Sequence, residues 1–171
     1  DIKPENIIIG EYGEVTVMDW GIAISMSKSK KQAWAAVAHG PAGTPAYMAP
    51  EMAAHNSGEL GFISDVYLLG AVLYEIVTGH PPHPPNTSAR EALLAAASNE
   101  IVQTNITGEL IDIARHAMAT STTDRYQTVS EFQQALQNYK SHRESGILTE
   151  SAEEHLSAAA ASGDSDEYAR A

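Results

Sequence analysis

The chain has 171 residues, 43% of them hydrophobic, enough for one sizeable core and too apolar for a disordered polypeptide. Ten Lys and Arg against twenty-two Asp and Glu leave a net charge of −12, which argues against nonspecific binding to nucleic acid or an acidic membrane surface; basic substrates are the weaker positive inference. There is no cysteine, hence no disulfide framework and no thiolate metal site, which suits a reducing cytoplasm.

The first twenty residues carry the chemistry. In D-I-K-P-E-N, Asp1 can orient a hydroxyl and accept its proton, Lys3 can reach phosphate oxygens, and the Asn6 carbonyl can ligate Mg²⁺, with Pro4 stiffening the segment. Ile7-Ile8-Ile9, the Gly10 to Gly13 turn and Val15 to Met18 predict two short strands joined by a tight hairpin. A hairpin brings its ends together, so Asn6 and Asp19 are expected to face one metal site, and their hard oxygens favour Mg²⁺. These residue types at these spacings suit Mg²⁺-assisted phosphoryl transfer, a reaction that needs charge neutralisation and positioning more than covalent help.

Between Asp19 and Glu51 lies a segment rich in Ser, Lys, Ala and Gly, expected to be a loop. Ser64 to Gly79 is apolar almost all round and predicts a helix buried at the centre of a helical domain, stopped by Gly79 and His80-Pro81-Pro82; Asp65 falls in its first turn, where a carboxylate suits the dipole. Its most apolar part, Val66 to Val77, is too short to span a bilayer and carries Glu75. His80 and His83 sit in H-P-P-H-P-P, where prolines favour an extended structural loop over a ligand cage.

Ser88 with Glu91 opens a helix to Ser98, and Thr128 with Glu131 opens one over Val129 to Lys140, each a capping box. Between them Leu110, Ile113, Ala114, Ala117 and Met118 recur at helical spacing and read as core. From Ser141 the chain turns polar, acidic and alanine-rich; Ser151 with Glu154 predicts a fresh helix start, and Gly163-Asp164 a break before another at Asp166. Residues 141–171 are therefore expected to form a helical tail, or the start of a tetratricopeptide-like repeat, after a domain over 1–140.

D-I-K-P-E-N, D-W-G at Asp19 to Gly21 and G-T-P-A-Y-M-A-P-E at Gly43 to Glu51, in that order, resemble a eukaryotic-type (Hanks-type) bacterial serine/threonine protein kinase. The resemblance runs from Asp1 to about Tyr139 and covers only the carboxy-terminal lobe. The implied fold is mainly α with a small β-hairpin, part of an α+β fold when complete. The glycine-rich loop and strand lysine of the family are not in these residues, so the chain is expected to be a piece of a longer kinase and weak in holding ATP and Mg²⁺ by itself.

The resemblance also implies roles. Asp1 orients the acceptor hydroxyl as base, Lys3 stabilises the moving phosphoryl, Thr44 bonds toward both, and Lys3 and Thr44 together mark Ser/Thr as acceptor. ATP would meet Lys3, Glu5, Asn6, Ile8, Met18 and Asp19, with Ile8 and Met18 under the adenine and Asn6 and Asp19 on Mg²⁺. Glu51 would pair with Arg125 to anchor the substrate platform, and Asp65 would accept hydrogen bonds from the catalytic-loop backbone. Ser25, Ser27 and Ser29 are candidate phosphosites of an activation segment, with Lys28, Lys30 and Lys31 as partners; the plainer reading is a solvated loop. Trp20 stands where the family has phenylalanine, which implies altered regulation, not lost chemistry.

Expected partners are protein substrates and the upper lobe of the same kinase, in the cytoplasm, with no nucleic acid and no membrane segment within these residues, a membrane anchor elsewhere in the parent staying open. Two alternatives are a pseudokinase or kinase-derived interaction module, and a small-molecule phosphotransferase. The platform segment favours a protein substrate over the latter.

Overall fold

The computed structural model describes residues 1–24, 41–54, 60–84 and 88–162, with side chains as far as residue 158. Ser25, Ser27, Ser29 and the neighbouring lysines lie outside the described residues, as do Gly163, Asp164 and Asp166. Residues 1–132 form one compact unit and those from 133 onward a second.

Among the described residues of the first unit the regular structure is helical apart from one antiparallel hairpin, β1 (Ile7–Ile9) and β2 (Val15–Val17), in the register Ile7↔Val17, Ile8↔Thr16, Ile9↔Val15. Its turn closes through Gly10 N–H to Glu14 O at 2.8 Å and Gly13 N–H to Gly10 O at 3.1 Å, with Gly13 at φ 83°, a left-handed conformation that glycine adopts without strain. The helices are α1 (Pro50–Ala53), α2 (Phe62–Thr78), α3 (Ala89–Ala97) and α4 (Glu109–Ala117), followed by the start of α5 (Val129–Ser162).

Helix α2 is the centre. It buries Val66, Tyr67, Leu68, Ala71, Leu73 and Tyr74, and it ends where Gly79 turns left-handed at φ 81° and returns its N–H to Glu75 O at 2.7 Å. It begins two residues before the expected Ser64, and its burial is not all-round: Phe62 and Ile76 are 68% and 71% exposed. An apolar count along the sequence cannot distinguish a helix packed on every face from one that leaves a stripe open.

Helix α4 lies against α2, and Gly70 sets their distance. A Cβ at Gly70 would stand 2.6 Å from the Ala117 Cβ and 3.2 Å from the Ala114 carbonyl, so the backbones approach where only hydrogen fits. Gly70→Val should therefore force the helices apart and cost about 1–3 kcal/mol, read as a lowered midpoint in urea unfolding. Ile111, missing from the expected core stripe, is 1% exposed and belongs to it together with Ile113, Ala114, Ala117 and Met118.

Helix α1 meets α3 through Met48, Ala53 and Ala96, edged by Met52, Leu93 and Ala97. The cap of α3 forms as expected: Ser88 Oγ accepts from Glu91 N–H at 3.4 Å, and Glu91 accepts from Ser88 N–H at 2.9 Å. At α5 the box is shifted. Thr128 Oγ1 accepts from Glu131 N–H at 3.1 Å, but Glu131 reaches back to Gln127 N–H at 2.8 Å.

The expected end of that helix at Lys140 and the fresh start at Ser151 are both overturned, because α5 continues unbroken through 34 residues. No proline and a single glycine, Gly146, interrupt an Ala-, Glu- and Gln-rich run. An interior glycine costs about 1 kcal/mol, too little to end a helix whose neighbours all favour it. Contacts one turn apart support the second unit, among them Gln134 Nε2 to Asn138 Oδ1 at 2.9 Å and Lys140 with Glu144 at 3.8 Å. No described helix is long and apolar enough to cross a membrane.

Candidate active site

Pro4 at the first position of a short 3-10 turn, Pro4–Asn6, fixes the chain between Lys3 and the hairpin, and Asn6 N–H donates to Lys3 O at 3.0 Å. The turn places Asp1 and Lys3 against Thr44, 41 positions beyond Lys3, in a closed network. Thr44 N–H donates to Asp1 Oδ1 at 2.9 Å, Thr44 Oγ1 donates to Asp1 Oδ2 at 3.1 Å, and Lys3 Nζ donates to Thr44 Oγ1 at 2.7 Å. Lys3 Nζ also stands 3.3 Å from Asp1 Oδ2. Gly43 precedes this network at φ 125°, a backbone conformation that residues with a side chain rarely adopt, and a Cβ there would press the Met48 methyl at 3.3 Å.

Asn6 is buried and its amide nitrogen donates to the Asp1 carbonyl at 2.7 Å, which commits the nitrogen and leaves the oxygen as the atom for a cation. The hairpin ladder runs one step past the strands, with Met18 N–H on Asn6 O at 2.7 Å, so residue 18 sits opposite residue 6 and Asp19 follows at once. Asp19 is exposed, at φ 52°, and its Oδ1 accepts from Gly21 N–H at 3.2 Å. A non-glycine residue in that left-handed region is uncommon, and aspartate tolerates it because its short side chain bonds locally.

Asp1, Asp19 and Asp65 line one cavity of about 320 Å³, walled by Ile2, Met18, Trp20, Met52, Phe62 and Leu68. Glu5 and Ile8 are exposed and lie outside it. Asp65 receives no hydrogen bond among the described residues. Although exposed at the rim, it is desolvated by the surrounding walls, which raises its carboxyl above the ordinary value. Trp20 is largely exposed, and its indole N–H donates to Val17 O at 3.0 Å.

The segment Gly43 to Glu51 is anchored at three places. Glu51 and Arg125, both 3% exposed, form a two-pronged ion pair with both N···O distances 2.8 Å. Ser64 Oγ donates to Glu51 at 2.8 Å, and Arg125 also donates to Ala119 O and Thr120 O, so the buried charges are fully bonded. Burial pushes the Glu51 carboxyl up, but the Arg125 fork, its backbone and Ser64 outweigh it and hold the group below the usual range. The Arg125 guanidinium stacks over the Tyr67 ring at 4.9 Å.

The other two anchors were not foreseen. Tyr47 donates its hydroxyl to Glu75 at 2.7 Å, and burial followed by that carboxylate raises the phenol above its ordinary value. His83 is fully buried and bonds Met48 O. Both partners lie 28 or more positions away, and only their types, a tyrosine in the platform and a histidine among prolines, were visible beforehand.

Fold and site together consist of a helical base, an extended platform, and a hairpin presenting an amide and a carboxylate at one end. The protein kinase domain model matches residues 1–149, and the chain belongs to the protein kinase family. A probable serine/threonine-protein kinase of Clostridium perfringens is 34% identical over 160 residues, covering 90% of this chain and 22% of that protein. Serine/threonine-protein kinase PknB of Mycobacterium leprae is 37% identical over 137 residues, 77% of this chain and 21% of the relative. A probable PknB of Bifidobacterium longum is 35% identical over 143 residues, 81% and 20% of the two chains. The chain thus spans about a fifth of the length of the curated relatives it matches.

Proposed function

We propose that this chain is the acceptor-side lobe of a protein-serine/threonine kinase that moves the γ-phosphoryl of ATP to a protein hydroxyl. The closed network of Asp1, Lys3 and Thr44 beside Asn6 and Asp19 carries this reading. Two bonds from Thr44 aim the Asp1 carboxylate, which orients an acceptor hydroxyl and takes its proton. The Lys3 ammonium shares the Thr44 oxygen and lies within reach of a phosphoryl in transit.

Asn6 and Asp19 offer hard oxygens, which fit Mg²⁺, and among the described residues no cluster of three His, Cys, Asp or Glu completes a protein-only cage. The remaining positions belong to water and phosphate oxygens, and the ion, when bound, neutralises charge on the transferred group. The exposed apolar side chains of Ile8 and Met18 form a floor for the adenine, which the upper lobe of the same kinase covers. The larger ring of Trp20 alters the packing that switches activity and leaves the ligands in place.

The test compares residues 1–171 with the longer kinase in transfer of labelled phosphate from ATP to serine- and threonine-containing protein. Transfer is expected from the longer protein only; transfer to tyrosine alone, or none by either, overturns the reading. Thr44→Val in the longer kinase removes the bridge between base and lysine and should lower kcat/KM about ten- to a hundredfold, measured by steady-state kinetics.

A further inference from the structure

Hydrogen-bonded and non-hydrogen-bonded pairs alternate along an antiparallel hairpin. Here the bonded pairs include Gly10 with Glu14 and Asn6 with Met18, Gly10 N–H donating to Glu14 O at 2.8 Å and Met18 N–H to Asn6 O at 2.7 Å. Alternation leaves Ile7 and Val17, which face each other in the register, as a non-bonded pair, so the Val17 carbonyl points away from β1 to the open edge. Trp20 meets it there. Its indole N–H donates to Val17 O at 3.0 Å, three positions back along the chain.

That bond spans Asp19, whose φ of 52° puts a residue with a side chain into the left-handed region, a conformation that persists only where its surroundings hold it. Two further links hold the turn: Gly21 N–H donates to Asp19 Oδ1 at 3.2 Å, and Ala23 N–H to Trp20 O at 3.1 Å. Burial does not fix the Trp20 ring, which is 72% exposed. The indole N–H is left as its directional anchor, and phenylalanine, the residue the family places here, has no such donor.

We propose that Trp20 is a positioning residue, which ties the turn carrying Asp19 to the open edge of β2 and so holds the Asp19 carboxylate in place for a cation. The tie stands on the hydrogen-bond geometry alone, while the cation role rests on the phosphotransfer reading. Asp19 Oδ1 is oriented by the Gly21 N–H, so a locked turn also fixes where Oδ2 can point. A carboxylate fixed in advance has less conformational freedom to lose on binding, and the tie therefore lowers the Mg²⁺ concentration at which the site fills.

Two replacements separate the N–H from the ring: Trp20→Phe, and benzothienylalanine at position 20, a tryptophan analogue with sulfur where the N–H stands. In the 171-residue chain the Trp20 indole hydrogen, identified by its loss in Trp20→Phe, is expected to exchange with water about threefold to tenfold slower than that of a free indole. Exchange at the free rate overturns the tie. The Gly21 and Ala23 amides should exchange faster by a similar factor in both replacements while α4 amides stay protected, and unchanged rates overturn it as well. In the longer kinase, the Mg²⁺ concentration that half-saturates ATP binding, read by calorimetry, should rise about threefold to tenfold in both replacements. A rise in Trp20→Phe alone assigns the effect to ring size and overturns the role of the N–H. A lowered melting temperature with unchanged Mg²⁺ demand marks a purely structural bond and overturns the positioning of Asp19. ATP binding by the longer kinase that ignores Mg²⁺ overturns the phosphotransfer reading and the cation role with it, while indole exchange in the chain still decides the tie.

Discussion

Glu51→Ala should destabilise the first unit by about 3–5 kcal/mol, lowering the melting temperature by about 10 °C or more in scanning calorimetry. The size follows from what the substitution leaves behind. Arg125 would remain inside the protein with both prongs of its fork unmatched, and only the Ala119, Thr120 and Ile63 carbonyls would still accept from it. Ser64 would lose its acceptor as well. Arg125→Ala strands the opposite charge and should cost a similar amount, whereas replacing both with apolar residues of like volume should recover most of the loss. An unchanged melting temperature in either single variant would refute a buried, mutually dependent pair.

The same carboxylate gives a pH dependence with a definite sign. Because Glu51 titrates lower in the folded chain than in the unfolded one, its contribution is present above the unfolded value of about 4.3 and is lost as the pH falls through the depressed folded value. Wild type should therefore lose stability in acid faster than Glu51→Gln, compared by urea midpoint at several pH values.

Asp1→Asn should lower phosphate transfer by the longer kinase about 10²- to 10⁴-fold, the range for loss of a general base. An asparagine keeps the shape and an oxygen for the Thr44 N–H, but it brings no negative charge to hold Lys3 and cannot take up a proton. Nucleotide affinity, governed by other residues, should move little, so the loss should fall on kcat. An Asp1→Asn enzyme with wild-type kcat would remove Asp1 from the chemistry.

Much of this architecture was readable because its signals are local. Turn glycines between two short apolar runs within twenty positions announce the hairpin, while its register is supplied by the structure. The contacts of Thr44 and of Glu51 with Arg125 span 41 and 74 positions and were reachable only through the family resemblance. Tyr47 with Glu75, His83 with Met48 and the close pass at Gly70 depend on which faces meet after folding, which no window of sequence reports. The error at α5 is of another kind. Ser151 and Glu154 form a valid start signal, but a cap worth about 1 kcal/mol does not outcompete a helix already propagating through favourable residues.

The hairpin has a practical consequence. Its two strands have no further neighbour among the described residues, so each presents an open edge of backbone donors and acceptors, flanked by uncovered Ile9, Tyr12 and Val15. Such an edge is a template for strand addition by other copies. A concentrated solution of the isolated chain should aggregate from this corner first, and Ile9→Lys on the open strand should extend its shelf life in light-scattering assays without altering the helical base.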